Sequence, residues 1–132
     1  MPKSLAYLVG AKVTPYSEQR GCKPRPEFDL FIERTGAALL DYAYLEKNGS
    51  AAEQTLRRQH KAHIALGMCV ASQLKKYKGV VVSGEDVGLP LIAFSQVRGC
   101  TTPIYIITHG SYFGSAKFRA LMSLYRCFKN VH

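Results

Sequence analysis

Residues 79–117 read GVVVSGEDVGLPLIAFSQVRGCTTPIYIITHGSYFGSAK, and this stretch decides the fold. Val80–Val82 is a short apolar run of β-branched residues, which predicts a strand. Ser83–Gly88 reads as the loop at its end. A helix is predicted from about Leu89 to Val97, with Pro90 in its first turn and Gly99 ending it. Ile104–Ile107 is a second apolar strand that runs straight into His109-Gly110. A last helix, from about Ser115 to Phe128, carries Lys117 near its start and turns Phe118, Leu121, Met122, Leu124 and Tyr125 inward. Strands that are apolar throughout, alternating with helices, predict a parallel sheet covered on both faces.

The rest of the chain repeats the pattern. Leu5–Ala11 is a third apolar run, and residues 12–25 form a long polar loop punctuated by Pro and Gly. Pro26 suits the first position of a helix whose inner face is Phe28, Phe31 and Ile32 and which Gly36 ends. Ala38–Tyr42 reads as a short strand and residues 47–50 as a loop. One long helix is predicted over Ala52–Tyr77, on a stripe of Leu56, Ile64, Gly67 and Leu74, with Gly79 closing it. Right-handed crossovers then restrict the topology to a doubly wound, Rossmann-like α/β fold. The expectation is one domain over residues 1–132, a parallel sheet of four to five strands with helices on both faces. Residues 130–132 look like the first residues of a fifth strand, which suggests the opening half of a longer protein.

Charge and cysteine content narrow the partners. Eighteen Lys and Arg stand against nine Asp and Glu, a formal charge of +9. Such a balance favours phosphates, nucleic acid or an anionic membrane surface without choosing among them. The basic residues are scattered and form no recognition-helix or RNP pattern, so nucleic acid is not expected. Arg57, Arg58 and Lys61 crowd one helical stretch that can rest on anionic lipid headgroups; the plainer reading is a solvated outer face. Cys22, Cys69, Cys100 and Cys127 are irregularly spaced, with no C-x-x-C pair. That pattern favours buried free thiols in a reducing cytoplasm over one or two disulfides. No apolar run reaches the roughly 18 residues of a spanning helix, and the N-terminus lacks the features of a signal peptide.

Several catalytic signatures are missing. The loop after the first strand is not G-x-G-x-x-G, and Gly110–Lys117 fails the spacing of a phosphate-binding loop. His60 and His63 share a helical face at i, i+3, but two ligands make a poor zinc site. What stands out is the set of strand-end loops, where open α/β sheets bind ligands. His109 can act as a base or hydrogen-bond a substrate there, or simply cap its loop. Gly110 beside it lets a ligand approach the backbone. Lys117 can pair with a phosphate or stand solvated. Glu85 and Asp86 can bind sugar hydroxyls, orient His109 or cap the next helix. Gly10 closes the remaining side of the crevice.

Two of these segments also carry a resemblance. GVVVSGEDVGLPLIAF at residues 79–94, followed by PIYIITHG at 103–110, resembles the N-terminal domain of GT-B-fold glycosyltransferases, especially the retaining family 4 type. The specific part covers about Val80–Lys117. The resemblance implies transfer of a sugar from a nucleotide-sugar donor to a glycan or lipid-linked acceptor, in the cytoplasm or at the membrane surface. It implies that this domain binds the acceptor, and that a separate C-terminal domain holds the nucleotide sugar as co-substrate, with no metal or other cofactor. His109 would face the donor across the cleft as the catalytic residue. Gly10 and its loop would line the same cleft, and Glu85 and Lys117 are weaker transfers as substrate contacts. The chain departs from the family in lacking a Gly-Gly pair in its first loop and in lacking the donor domain. The alternative is a stand-alone α/β module that binds an anionic or nucleotide ligand without catalysis.

Overall fold

The structure is a computed structural model that describes residues 4–11, 27–107, 123 and 131–132. Its strands are β1 (Ser4–Val9), β2 (Ala38–Leu40), β3 (Tyr77–Ser83) and β4 (Ile104–Ile107). Its helices are α1 (Glu27–Thr35), α2 (Tyr42–Asn48), α3 (Ala51–Arg58), α4 (Ala62–Ala71) and α5 (Glu85–Val97), with a 3₁₀ turn at Leu74–Lys76. The sheet is fully parallel in the order β2-β1-β3-β4. The Rossmann-like α/β architecture expected from the sequence is therefore present.

Register assigns the helices to the two faces. Side chains alternate along a strand, so Ala6 and Leu8 point one way and Tyr7 the other. Leu8 pairs with Leu40 and Val82, and Val80 pairs with Ala6 and Ile104. These residues pack with Leu45, Leu66, Val70, Leu74, Val87, Leu91 and Ile92 into one buried core. Helices α2, α4 and α5 thus cover that face. Tyr7 instead packs its ring on Phe28 and Phe31 of α1, at 5.9 and 5.5 Å. On the same face, Tyr105 and Ile107 of β4 stay 44% and 41% exposed. Val131 bridges Ile104 in parallel, and the His132 N–H donates to the Ile104 carbonyl at 2.8 Å. The expected start of a fifth strand is seen here, on the outer side of β4.

The long helix predicted over residues 52–77 is not formed. Its place is taken by α3, α4 and the 3₁₀ turn, and β3 begins at Tyr77, so Gly79 lies inside a strand. The break is a closed helix end. The His60 N–H donates to the Arg57 carbonyl at 3.2 Å and the Lys61 N–H to Leu56 at 3.0 Å, with His60 left-handed at φ 60°. That is the double hydrogen-bond pattern with which helices commonly stop, usually at glycine. His60 and His63 therefore do not share a helix. The continuous basic helix is lost as well: Arg57 turns to the Gln54 side chain (2.9 Å) and to Glu46 (3.7 Å).

Residues 41–48 hold a helix where a strand end and a loop were expected. Asp41 caps it by accepting from the Tyr44 N–H at 3.0 Å. Ser50 and Glu53 form a reciprocal capping box at the start of α3. Helix α5 starts at Glu85, four residues earlier than predicted, so Pro90 lies inside it. Proline withdraws one helical N–H, and here its ring packs against bare backbone. A Cβ on Gly67 of α4 would lie 2.7 Å from Pro90 Cβ and 2.9 Å from the Leu91 nitrogen. Glycine at this position is what lets α4 and α5 touch.

Cys69 and Cys100 are free and buried, as expected of unpaired thiols; Cys22 and Cys127 lie outside the described residues. Among the described residues, no helix is long and apolar enough to cross a membrane.

Candidate functional site

The carboxyl ends of the strands are nearly flush. Val9 pairs with Ser83, and Ser83 with Ile107. The loops after β1, β2 and β3 therefore leave from a single crest. From β1 the chain turns to α1 on the Tyr7 face, whereas from β3 it turns to α5 on the opposite face. The crevice between β1 and β3 is thus the switch point of the sheet, where open α/β folds take their ligands.

Three residues converge there. Gly10 leaves β1, and a Cβ built on it would lie 2.6 Å from Val87 Cγ2. The same point is 3.5 Å from Asp86 Oδ2 and 3.5 Å from the Tyr42 hydroxyl. The close approach of fully buried Val87 favours glycine here. Asp86 sits in the first turn of α5, where a negative side chain suits the helix dipole. Its Oδ1 accepts from the Val87 N–H at 3.0 Å, which leaves Oδ2 aimed toward Gly10. Tyr42 opens α2, and its backbone N–H donates to the Ala11 carbonyl at 3.1 Å. That bond ties the loop after β2 to the loop after β1. Burial pushes the Tyr42 phenol up from its ordinary value of 10.0, and the Asp86 charge pushes it further. It is a neutral hydrogen-bonding group at any physiological pH.

The loop after β3 is held from its other side. The Gly84 N–H donates to the Ile107 carbonyl at 3.0 Å, so the end of β4 is fixed beside the start of α5. Gly84 adopts φ 99°, a left-handed value that favours glycine. The backbone of Glu85 follows directly and opens α5.

Of the residues singled out in the sequence, the structure brings Gly10 and Asp86 together. It places Glu85 at the same crest by its backbone, its side chain lying outside what is described. His109, Gly110 and Lys117 lie outside the described residues. Tyr42 was missed because Ala38–Tyr42 reads as a strand. The available signal was Asp41: a cap residue directly after three apolar residues marks a helix start, and hence a strand-end position. Gly84 holds the cap position of α5 with no side-chain cap, and Asp86 instead accepts from the Val87 N–H within the first turn. Among the described residues, no three His, Cys, Asp or Glu side chains gather in a way that could hold a metal ion.

No family model, curated protein or solved structure matches the chain. The geometry of the crest therefore carries the functional reading.

Proposed function

We propose that this chain is the acceptor-side domain of a GT-B-type glycosyltransferase, which presents a sugar acceptor to a nucleotide-sugar donor held by a second domain. One observation carries the reading: at the switch point, a carboxylate and a phenol flank a glycine floor. Carboxylates and neutral hydroxyls are hydrogen-bonding partners for sugar hydroxyls. A phosphate placed there would meet the Asp86 charge, so the described part of the crest favours an acceptor sugar over a free anion. The resemblance of residues 79–94 and 103–110 to that family supports the same assignment. In this reading the donor-binding domain lies outside these 132 residues. His109 faces the donor as the catalytic residue, and Glu85, Gly110 and Lys117 complete the substrate contacts. The enzyme works in the cytoplasm, at or near an anionic membrane surface when its acceptor is lipid-linked.

The test is a ligand-observed NMR screen of the chain against mannotriose, maltotriose, chitotriose, UDP, GDP and inorganic phosphate. Saturation transfer to at least one trisaccharide is expected. Transfer to UDP, GDP or phosphate with none to any trisaccharide would assign the chain instead to a stand-alone anion-binding module.

A further inference from the structure

Tyr42 and Asp86 reach the crest from different elements, yet both oxygens stand 3.5 Å from the one point above Gly10. Both are held in place. Asp86 is anchored through Oδ1 to the backbone of Val87, a fully buried residue. Tyr42 is anchored by its own N–H to Ala11 and by the cap that Asp41 places on α2. Among the described residues, neither Asp86 Oδ2 nor the Tyr42 hydroxyl has a hydrogen-bond partner, although both lie beside the same point above Gly10. Two positioned, unused polar atoms at the switch point form a binding pair whose chemistry can be read.

Taking the acceptor assignment as its basis, we propose that Tyr42 and Asp86 form a clamp for two neighbouring hydroxyls of an uncharged sugar ring. An ionised carboxylate only accepts, so it takes the proton of one hydroxyl. A neutral phenol donates, so it meets an oxygen lone pair of the next. A vicinal diol offers that donor and that acceptor side by side. The clamp also selects by charge: a phosphorylated sugar or a uronic acid would bring a second negative charge beside Asp86, and repulsion excludes it. The acceptor class is therefore a neutral hexose end, not an anionic glycan.

The test uses the same trisaccharides together with a uronic-acid disaccharide, titrated against the wild-type chain, Tyr42→Phe and Asp86→Asn. The wild type should bind at least one neutral trisaccharide and ignore the uronic acid. Each substitution should weaken the neutral ligand by about tenfold, the usual worth of one such hydrogen bond. Asp86→Asn should in addition admit the uronic acid. The melting midpoint of each variant, close to that of the wild type, separates lost contact from lost fold. Unchanged trisaccharide binding in both variants overturns the clamp and leaves the acceptor assignment standing. Equal wild-type affinity for the uronic acid overturns the charge selection in the same way. A wild type that binds no trisaccharide overturns the clamp and the acceptor assignment together.

Discussion

Gly67 and Gly10 are both places where a single methyl group does not fit, and they serve opposite ends. At Gly67 the obstacle is backbone and a proline ring on a neighbouring helix: Pro90 Cβ at 2.7 Å and the Leu91 nitrogen at 2.9 Å. The contact lies on the covered face of the sheet, and it joins α4 to α5. At Gly10 the obstacle is one methyl of Val87, and the other neighbours are two polar oxygens at 3.5 Å. The first glycine lets two helices close on each other, and the second lets the end of β1 pass close to Val87 beside two polar oxygens. The same residue thus stands at an apolar helix contact and beside two polar oxygens at the strand ends, and what surrounds each glycine tells them apart.

The largest effect is expected at Gly67. Gly67→Leu improves helix propensity by about 0.8 kcal/mol, but its side chain has no room against rigid neighbours. Overpacking of this kind costs about 3 kcal/mol or more, so the net change is a strong loss of stability. Chemical denaturation would measure it. A variant as stable as wild type would mean that the α4–α5 contact is not as close as described.

A second probe of the packed side is pH. Cys69 is buried beside Glu53, and burial first, then the Glu53 charge and its hydrogen bond, push the thiol from 9.0 to about 11. The folded state therefore favours the protonated thiol more than the unfolded state does. Its contribution is whole below pH 9 and is lost as pH rises through about 11. Loss of about 2 kcal/mol is expected across that window. Denaturation midpoints measured from pH 8 to pH 11 should fall more steeply for the wild type than for Cys69→Ala. Parallel slopes would remove Cys69 as the source.

The packed layer and the crest also differ in how far the sequence disclosed them. The apolar strands, their order of connection and the inner face of α1 were all legible, because burial on both faces leaves a continuous apolar run. Gly99 announced the end of α5: its N–H reaches the Gln96 carbonyl and the next N–H reaches Ser95. The end of α3 uses the same bonding pattern with His60 in the left-handed position, and no glycine marks it. One continuous helix through α3 and α4 is consequently what the local pattern predicts. At the crest, Gly10 and Asp86 were identifiable as strand-end residues. Their approach to Tyr42 was not, because it depends on β2 lying beside β1 and on Asp41 starting a helix at once. Such proximity comes from sheet order, which no local pattern encodes.

At the crest itself, Gly10→Ala should cost about 1–2 kcal/mol, less than the change at Gly67, because one valine methyl can give way where backbone cannot. Its larger consequence is for the ligand. The added methyl points at Asp86 Oδ2 and the Tyr42 hydroxyl, so trisaccharide binding should fall by more than the loss of stability explains. Calorimetric titration alongside a denaturation curve separates the two. A variant that is destabilised yet binds normally would make Gly10 a packing glycine like Gly67.

The smallest effect on stability is expected at Asp86, and that is what would complete the contrast. Asparagine keeps an oxygen for the Val87 N–H, so the local hydrogen bond survives Asp86→Asn. Only the charge is lost, at the first turn of a helix, where it contributes about 0.3–1 kcal/mol. Asp86 is exposed, so solvent screens it toward the lower end of that range. A residue whose loss barely moves the denaturation midpoint but abolishes selection against anionic sugars is placed for its ligand and not for its fold. A midpoint that falls as far as that of Gly67→Leu would instead put Asp86 among the groups that hold α5 in place. The polarity of the crest would then be a by-product of folding.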